Sequence, residues 1–209
     1  MTTNILFSLP TNDTIEPKTA FKAAVMAQHP NVTYCQVMGS PTDQVRNGLA
    51  KMVLENPDYT HLLMMDSDID PPANIVDLLL ECDSQLATAL VPICLKGAIV
   101  SNVIVTSEDE TEGHFLTNWE NKKEPFEVEA AGTGCVLIRR DVLETIPWPW
   151  FRYQEKYPSG DRIGEDIYFS RKCNKAGIKY KAHPKAVCGH IKKFDLLDIV
   201  RLLNDNRKT

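Results

Sequence analysis

His61-Leu62-Leu63-Met64-Met65-Asp66-Ser67-Asp68-Ile69-Asp70-Pro71-Pro72 is the stretch on which the reading of this chain turns. Four consecutive apolar residues run into three carboxylates on alternate positions, and two prolines stop the strand. An unbroken apolar run suits a strand buried on both faces of an α/β sheet. Ligands of such sheets gather at the carboxyl ends of the strands, where these acids fall. Alternate side chains of an extended chain share a face, so Asp66 and Asp68 are expected to aim at one cation. Carboxylate oxygens suit Mg²⁺ or Mn²⁺, above all when a substrate's phosphates complete the shell. A nucleotide-diphosphate site is the first expectation.

Each acid also has a plainer reading. Asp70, just before Pro71-Pro72, is placed to cap the next helix, and that role is expected of it rather than metal binding. Asp66 and Asp68 would repel each other at the end of a buried strand, so a cation or tight hydrogen bonding must compensate. The Asp-x-Asp-x-Asp spacing mimics the start of an EF-hand, but Pro71 stands where that loop needs glycine and the flank is strand-like. The haloacid-dehalogenase phosphatases also place two acids after an apolar strand. They require Thr or Val after the second acid, where this chain has Ile69.

Upstream, Asn4 to Leu9 reads as a first strand closed by Pro10-Thr11-Asn12-Asp13. Lys18 to Gln28 follows as a helix with Ala20, Phe21, Ala24 and Val25 on its apolar face. Val32 to Met38 is a second strand. Thr42 is the expected N-cap of a helix that buries Val45, Leu49, Met52 and Val53. Downstream of the acids, a helix carries Ile75, Val76, Leu79 and Leu80 inward. Helices thus alternate with short strands over the first half, the pattern of a Rossmann-like unit.

After Leu86 the rhythm changes. Leu86–Leu95 and Ala98–Thr106 are β-rich, and Ser107–Gly113 is an acidic loop. Short strands are expected over Phe115–Trp119 and Phe126–Ala130. Gly132-Thr133-Gly134 leads into a strong strand at Cys135–Ile138, and a short helix starts at Asp141. A helix over Ile167–Ala176 ends at Gly177. Lys179–Ala182 and Ala186–Cys188 are short strands before Gly189-His190. The last apolar residues (Leu196, Leu197, Val200, Leu202, Leu203) form an amphipathic helix. Packing on the domain is its default use, a homodimer face or a membrane-surface contact the others.

With 209 residues and 43% hydrophobic content, one substantial core and one domain are expected. No run approaches the ~20 apolar residues of a membrane span, and no signal-peptide pattern is read at the N-terminus. Six scattered cysteines without a CxxC suggest buried, reduced thiols in a cytoplasmic protein and argue against structural zinc. A net charge of −5 argues against a protein that coats nucleic acid. Arg139-Arg140 and Lys192-Lys193 are read as solvated surface. Lys96, after a strand, meets a phosphate or solvent with equal weight. Glu165-Asp166 complements the dipole of the helix it opens, or holds a general base in a pocket. His190 is a lone histidine, and Trp148–Phe151 is core with a face suited to sugar rings.

Taken in order, Met65-Asp66-Ser67-Asp68, Ala131 to Arg140, Gly164-Glu165-Asp166-Ile167-Tyr168-Phe169 and Gly189-His190 resemble the GT-A glycosyltransferases, in particular the small family 2-like enzymes of bacteria and their phages. The likeness runs from the Arg46-Asn47 helix to His190. It implies an α/β, Rossmann-like three-layer sandwich with a mixed, mainly parallel central sheet. Within one GT-A domain spanning 1–209, it implies a nucleotide-sugar-binding half (1–95), an acceptor and catalytic half (96–190) and a C-terminal helix (191–209).

The reaction implied is transfer of a sugar from a nucleotide-diphosphate sugar to an acceptor hydroxyl, with inversion. Asp68 would ligate Mn²⁺ or Mg²⁺ on the donor diphosphate, Asp66 would hold the ribose or assist the metal, and His190 would be the remaining protein ligand. Asp166 would be the base, with Glu165 as its neighbour. Pro10, Thr11 and Asn12 would hold base and ribose, and Arg46 and Lys96 would approach the donor. Gly132, Thr133 and Gly134 would let backbone come close to the donor sugar or acceptor. The first strand ends in Pro-Thr-Asn-Asp rather than the family's usual Pro-x-Tyr-Asn. UDP-sugars are the donors the resemblance favours. The acceptor stays open among glycan, lipid-linked intermediate, protein and modified nucleic-acid base.

Two rivals come from other classes. A catalytically inactive sugar- or nucleotide-binding module would use the same fold, but the acids stand intact at every motif. A nucleotidyltransferase would carry a glycine-rich, basic loop after the first strand, where this chain has Pro10-Thr11-Asn12-Asp13.

Overall fold

The computed structural model describes residues 2–95, 97–106, 113–155, 160, 162–197 and 200. Seven strands form the central sheet: β1 (Ile5–Ser8), β2 (Val32–Cys35), β3 (His61–Met65), β4 (Leu86–Leu90), β5 (Phe126–Glu127), β6 (Cys135–Arg139) and β7 (Tyr180–Val187). Their spatial order is β5-β7-β4-β6-β3-β1-β2. β1 pairs in parallel with β2 and β3, and β7 in parallel with β4. β6 enters antiparallel between β3 and β4, and β5 is antiparallel on the edge. Five strands therefore run one way and two run back, the mixed, mainly parallel sheet expected.

The apolar run of β3 is buried on both faces, with Leu62, Leu63, Met64 and Met65 each at 0% exposure. Its alternation divides the core in two. Leu62 and Met64 pack with helices α2 (Thr42–Glu55), α4 (Arg140–Thr145) and α5 (Glu165–Lys175). Leu63 and Met65 pack with α1 (Pro17–Met26) and α3 (Ile75–Glu81). Helices cover both faces, which makes the three layers.

Several local expectations need correction. Helix α1 buries Thr19, Ala23 and Met26 and turns Phe21 and Val25 to solvent, at 67% and 40% exposure. Both sets of residues have helical spacing. Tertiary ties decide between them: the Glu16 amide donates to the Ser67 carbonyl, and Lys18 pairs with Asp70 at 2.5 Å. Thr42 lies inside α2, with Pro41 at the N-cap, and Met52 is exposed while Ala50 and Arg46 are buried. Asp70 does not cap α3, whose N-cap is Asn74. It belongs to a two-residue strand, Ile69–Asp70, paired antiparallel with Gly189–His190. The two short strands expected between Lys179 and Cys188 are one, β7, with a register irregularity between Ala182 and Val187.

Outside the main sheet, Val103–Val105 pairs with Ala130–Ala131 and His114–Phe115, and Gln154–Glu155 pairs with Arg162–Ile163. Leu196, Leu197 and Val200 are helical, but most of the expected C-terminal helix lies outside the described residues, as do Lys96 and most of the acidic loop. No helix among the described residues is long and apolar enough to cross a membrane. All six cysteines are free thiols, four of them buried.

Candidate active site

Strand β3 ends at Met65, before the acids. The Asp66 amide donates to the Gly134 carbonyl, and the chain then turns so that the Ile69 amide reaches back to the Asp66 carbonyl. This turn breaks the extended geometry in which Asp66 and Asp68 were to share a face. The two carboxylates take separate partners instead.

Asp66 meets Arg46. One guanidinium nitrogen of Arg46 donates to Asp66 Oδ1 at 2.7 Å and another to Glu165 Oε1. Arg46 is 4% exposed, and its Nε has no partner among the described residues. Burial works against its charge, but Asp66 and Glu165 outweigh burial and raise its pKa. Arg46, expected to approach the donor, lines the cavity and is paired there with Asp66 and Glu165. Helix α2 is set in place by Asn47, whose carbonyl oxygen accepts from the Trp150 and Phe151 amides and whose amide donates to the Phe151 carbonyl.

Asp68 meets His190. The antiparallel pairing of Ile69–Asp70 with Gly189–His190 brings the imidazole over the turn, with Nε2 3.2 Å from Asp68 Oδ2. Its Nδ1 donates to the Pro92 carbonyl at 2.8 Å, so Nε2 donates to Asp68 in the protonated ring and carries a free lone pair only in the neutral one. The hydrogen bond to Asp68 raises the His190 pKa. Asp68 is held at a pKa of about 2, since its bonds to His190 and Lys192 overcome the effect of burial. Lys192 Nζ lies 2.6 Å from the same oxygen. Reading Lys192 as solvated surface missed this contact, although its spacing from His190, two residues along, is the alternation that puts side chains on one face.

Asp166 stands on the first turn of α5 and accepts from the Ile167 amide at 2.7 Å. Burial raises its pKa, and the neighbouring Glu165 charge raises it further. Glu165 is 7% exposed, so it serves the helix terminus and the Arg46 pair at once. A Cβ at Gly164 would meet the Asp166 carboxylate, so a larger residue there would push that carboxylate aside.

These groups frame two adjoining cavities. The larger, about 400 Å³, is bounded by Pro10, Thr11 and Asn12 on one side and Asp66, Ser67 and Asp68 on the other, with Arg46, Thr42, Tyr153 and Glu165 behind. The smaller, about 170 Å³, is lined by Gly132, Thr133, Gly134, Asn102, Asp166 and His190 and shares Arg46, Asp66 and Glu165 with the first. The Thr133 hydroxyl, buried on this wall, has no partner among the described residues. Tyr153 and Asn102 were not singled out in the sequence, where no periodicity or motif marks them, and Thr42 was read only as a helix N-cap. Trp150 and Phe151 are core, whereas Trp148 is 72% exposed.

No protein-family model and no curated protein sequence matches this chain. Solved structures do. The protein A197 from STIV superposes with a TM-score of 0.62 at 20% identity, covering 91% of this chain and 86% of A197. GalNAc-T7, solved with UDP, GalNAc and Mn²⁺, superposes with a TM-score of 0.55 at 13% identity over 93% of this chain and 44% of its own. The fold is GT-A. At such identities the likeness is one of backbone, so roles of side chains in this GT-A chain rest on its own geometry.

Asp68 and His190 present one carboxylate oxygen and one imidazole nitrogen to the same point, a combination suited to Mn²⁺ or Mg²⁺ when phosphate oxygens fill the remaining positions. Asp66, expected beside them, is turned to Arg46. Among the described residues no three His, Cys, Asp or Glu side chains cluster as metal ligands. The chain would therefore offer a divalent ion two side chains, Asp68 and His190.

Proposed function

We propose that this chain is a metal-dependent glycosyltransferase that moves a sugar from a nucleotide-diphosphate sugar to an acceptor hydroxyl with inversion. The observation that carries the reading is the convergence of the Asp68–His190 pair and Asp166 on walls of adjoining cavities. The GT-A neighbour solved with UDP, GalNAc and Mn²⁺ supports a donor of that class and a UDP nucleotide as the first to test.

In this reading Pro10, Thr11 and Asn12 hold the base and ribose. Asp68 and His190 hold Mn²⁺ or Mg²⁺ beside the diphosphate, and Asp66 faces the ribose while Arg46 fixes its carboxylate. When bound, the metal supplies Lewis-acid stabilisation of the charge that gathers on the departing nucleotide diphosphate. Thr133 offers its unpaired hydroxyl to a sugar hydroxyl in the smaller cavity, where Gly132 and Gly134 keep the wall close. Asp166 takes the acceptor's proton as the acceptor oxygen bonds to the anomeric carbon and the bond to the diphosphate breaks. Its raised pKa makes the carboxylate a stronger base than an exposed aspartate. Glu165 keeps Arg46 in place and, through its charge, tunes Asp166.

Calorimetric titration with UDP, GDP, CDP and dTDP, each with Mn²⁺ or with chelator, tests the reading. One diphosphate should bind only with metal, and Asp68→Ala and His190→Ala should each weaken it at least tenfold. Tight binding in chelator, or binding untouched by Asp68→Ala, would overturn the metal assignment. Binding of none of the four would favour a module without donor chemistry.

A further inference from the structure

We propose that Lys192 is a resident cation at Asp68 which a divalent metal must displace, and that the freed ammonium then binds the donor's diphosphate oxygens. The inference rests on the donor reading above and adds a residue and a sequence of events to it.

Three observations lead to it. First, the oxygen that a metal would take is occupied: Asp68 Oδ2 accepts from Lys192 Nζ at 2.6 Å and lies 3.2 Å from His190 Nε2. An ammonium and a divalent ion cannot share that oxygen at contact distance without strong repulsion. Second, the larger cavity is short of positive charge. Asp13, Asp66, Asp68 and Glu165 line it, and Arg46, the one cation among its lining residues, is committed to Asp66 and Glu165. A diphosphate entering this cavity meets four carboxylates, so one divalent ion alone leaves an excess of negative charge. Third, Lys192 stands at the surface beside the site. Its side chain is 48% exposed, and it sits on a segment tied near the site by the Ile191 amide to the Asp68 carbonyl and by a surface pair, Lys193 with Glu16 at 3.4 Å. A four-carbon stem with three rotatable donors can pass from a carboxylate to a neighbouring phosphate without moving the backbone.

The opposite signs of two effects form the signature. Mn²⁺ binding to the full chain without nucleotide is read from the loss of the free-ion paramagnetic resonance signal, and UDP binding at saturating Mn²⁺ by calorimetry. Lys192→Ala should bind Mn²⁺ about two- to fivefold more tightly, the factor set by competition from a partly exposed ion pair. The same variant should bind UDP roughly tenfold more weakly, for the loss of a charge-assisted hydrogen bond. Lys192→Arg should stay close to the parent in both. A structural role for Lys192 would weaken both ligands together. Unchanged or weaker Mn²⁺ binding in Lys192→Ala, or no Mn²⁺ binding by any form, overturns the inference while metal-dependent UDP binding by the parent would leave the glycosyltransferase reading standing. Tighter Mn²⁺ binding with no UDP binding by either protein supports the displaced cation and overturns both the diphosphate half and the UDP assignment.

Discussion

At the carboxyl end of β3, one buried guanidinium, that of Arg46, answers the carboxylates of Asp66 and Glu165 with Asp166 close behind, and its Nε is left without a partner among the described residues. At the opposite end of the same sheet, Arg140 donates to the carbonyls of Val53, Leu54, Asn56 and Tyr59 and to Glu144, closing the carboxyl end of α2. Beside it Arg139 forms a two-pronged pair with Asp141. Both ends border cavities of similar size, about 400 and 450 Å³. At the far end every guanidinium is satisfied by the chain itself, and the charge stabilises a helix terminus. At the near end acids outnumber the cation, burial and then the Glu165 charge push Asp166 up, and the Thr133 hydroxyl has no partner among the described residues. Charge left incompletely answered within a fold that answers it elsewhere is what a binding site requires, since substrate can supply the missing partners.

Four substitutions sharpen or break this contrast. The largest effect is expected from Asp166→Asn, which should lower transfer by roughly 10²–10⁴-fold while leaving diphosphate binding intact, because it removes a proton acceptor. Its thermal midpoint should hold or rise, since the repulsion with Glu165 disappears. A midpoint that falls with activity would make Asp166 a structural acid. Next comes Arg46→Met, which strands Asp66 and Glu165 and should cost about 3–5 kcal/mol in denaturant unfolding. A near-neutral result would mean that water answers these carboxylates. Arg140→Ala should cost about 2 kcal/mol, for hydrogen bonds from a charged donor to carbonyls that lose their partner. Its diphosphate affinity should be unchanged, and a loss there would break the separation of the two ends.

The smallest effect at neutral pH belongs to His61, at the far end. Burial, followed by the Arg139 charge, pulls its pKa from 6.5 down to about 4. Between those values the unfolded chain binds more protons than the folded one, so stability is fully present above about 6.5 and falls as pH drops toward 4. Unfolding free energies measured across that window should slope upward with pH in the parent, and His61→Gln should flatten the slope without altering stability at pH 7. A parent profile with no slope there would show that His61 protonates without penalty in the fold.

Much of this architecture was legible from residue pattern. The Leu62–Met65 run suited a strand covered on both sides, because nothing polar interrupts it, and the alternating helices and strands before it pointed to a parallel first half. The acids after it were legible as the cavity edge for the same reason. What failed were choices between equivalent local patterns. Ala20, Phe21, Ala24 and Val25 make as good a helical stripe as Thr19, Ala23 and Met26, and only the anchoring of α1 at Ser67 and Asp70 turns the second set inward. Asp70 before two prolines has the composition of a cap, yet pairing with Gly189 claims its backbone.

The sequence by itself determined the layers, the burial of β3 and the chemical types gathered near its end, since hydrophobic period and residue identity act locally. Only the tertiary structure decided which carboxylate meets which cation. Arg46 and Asp66 are 20 residues apart, Arg46 and Glu165 119, and Asp68 and Lys192 124. Such pairings are fixed by strand order, by the antiparallel insertion of β6 and by the short strand that carries His190, and no local pattern records them. Proximity across the fold, rather than spacing along the chain, sets the charge at this site.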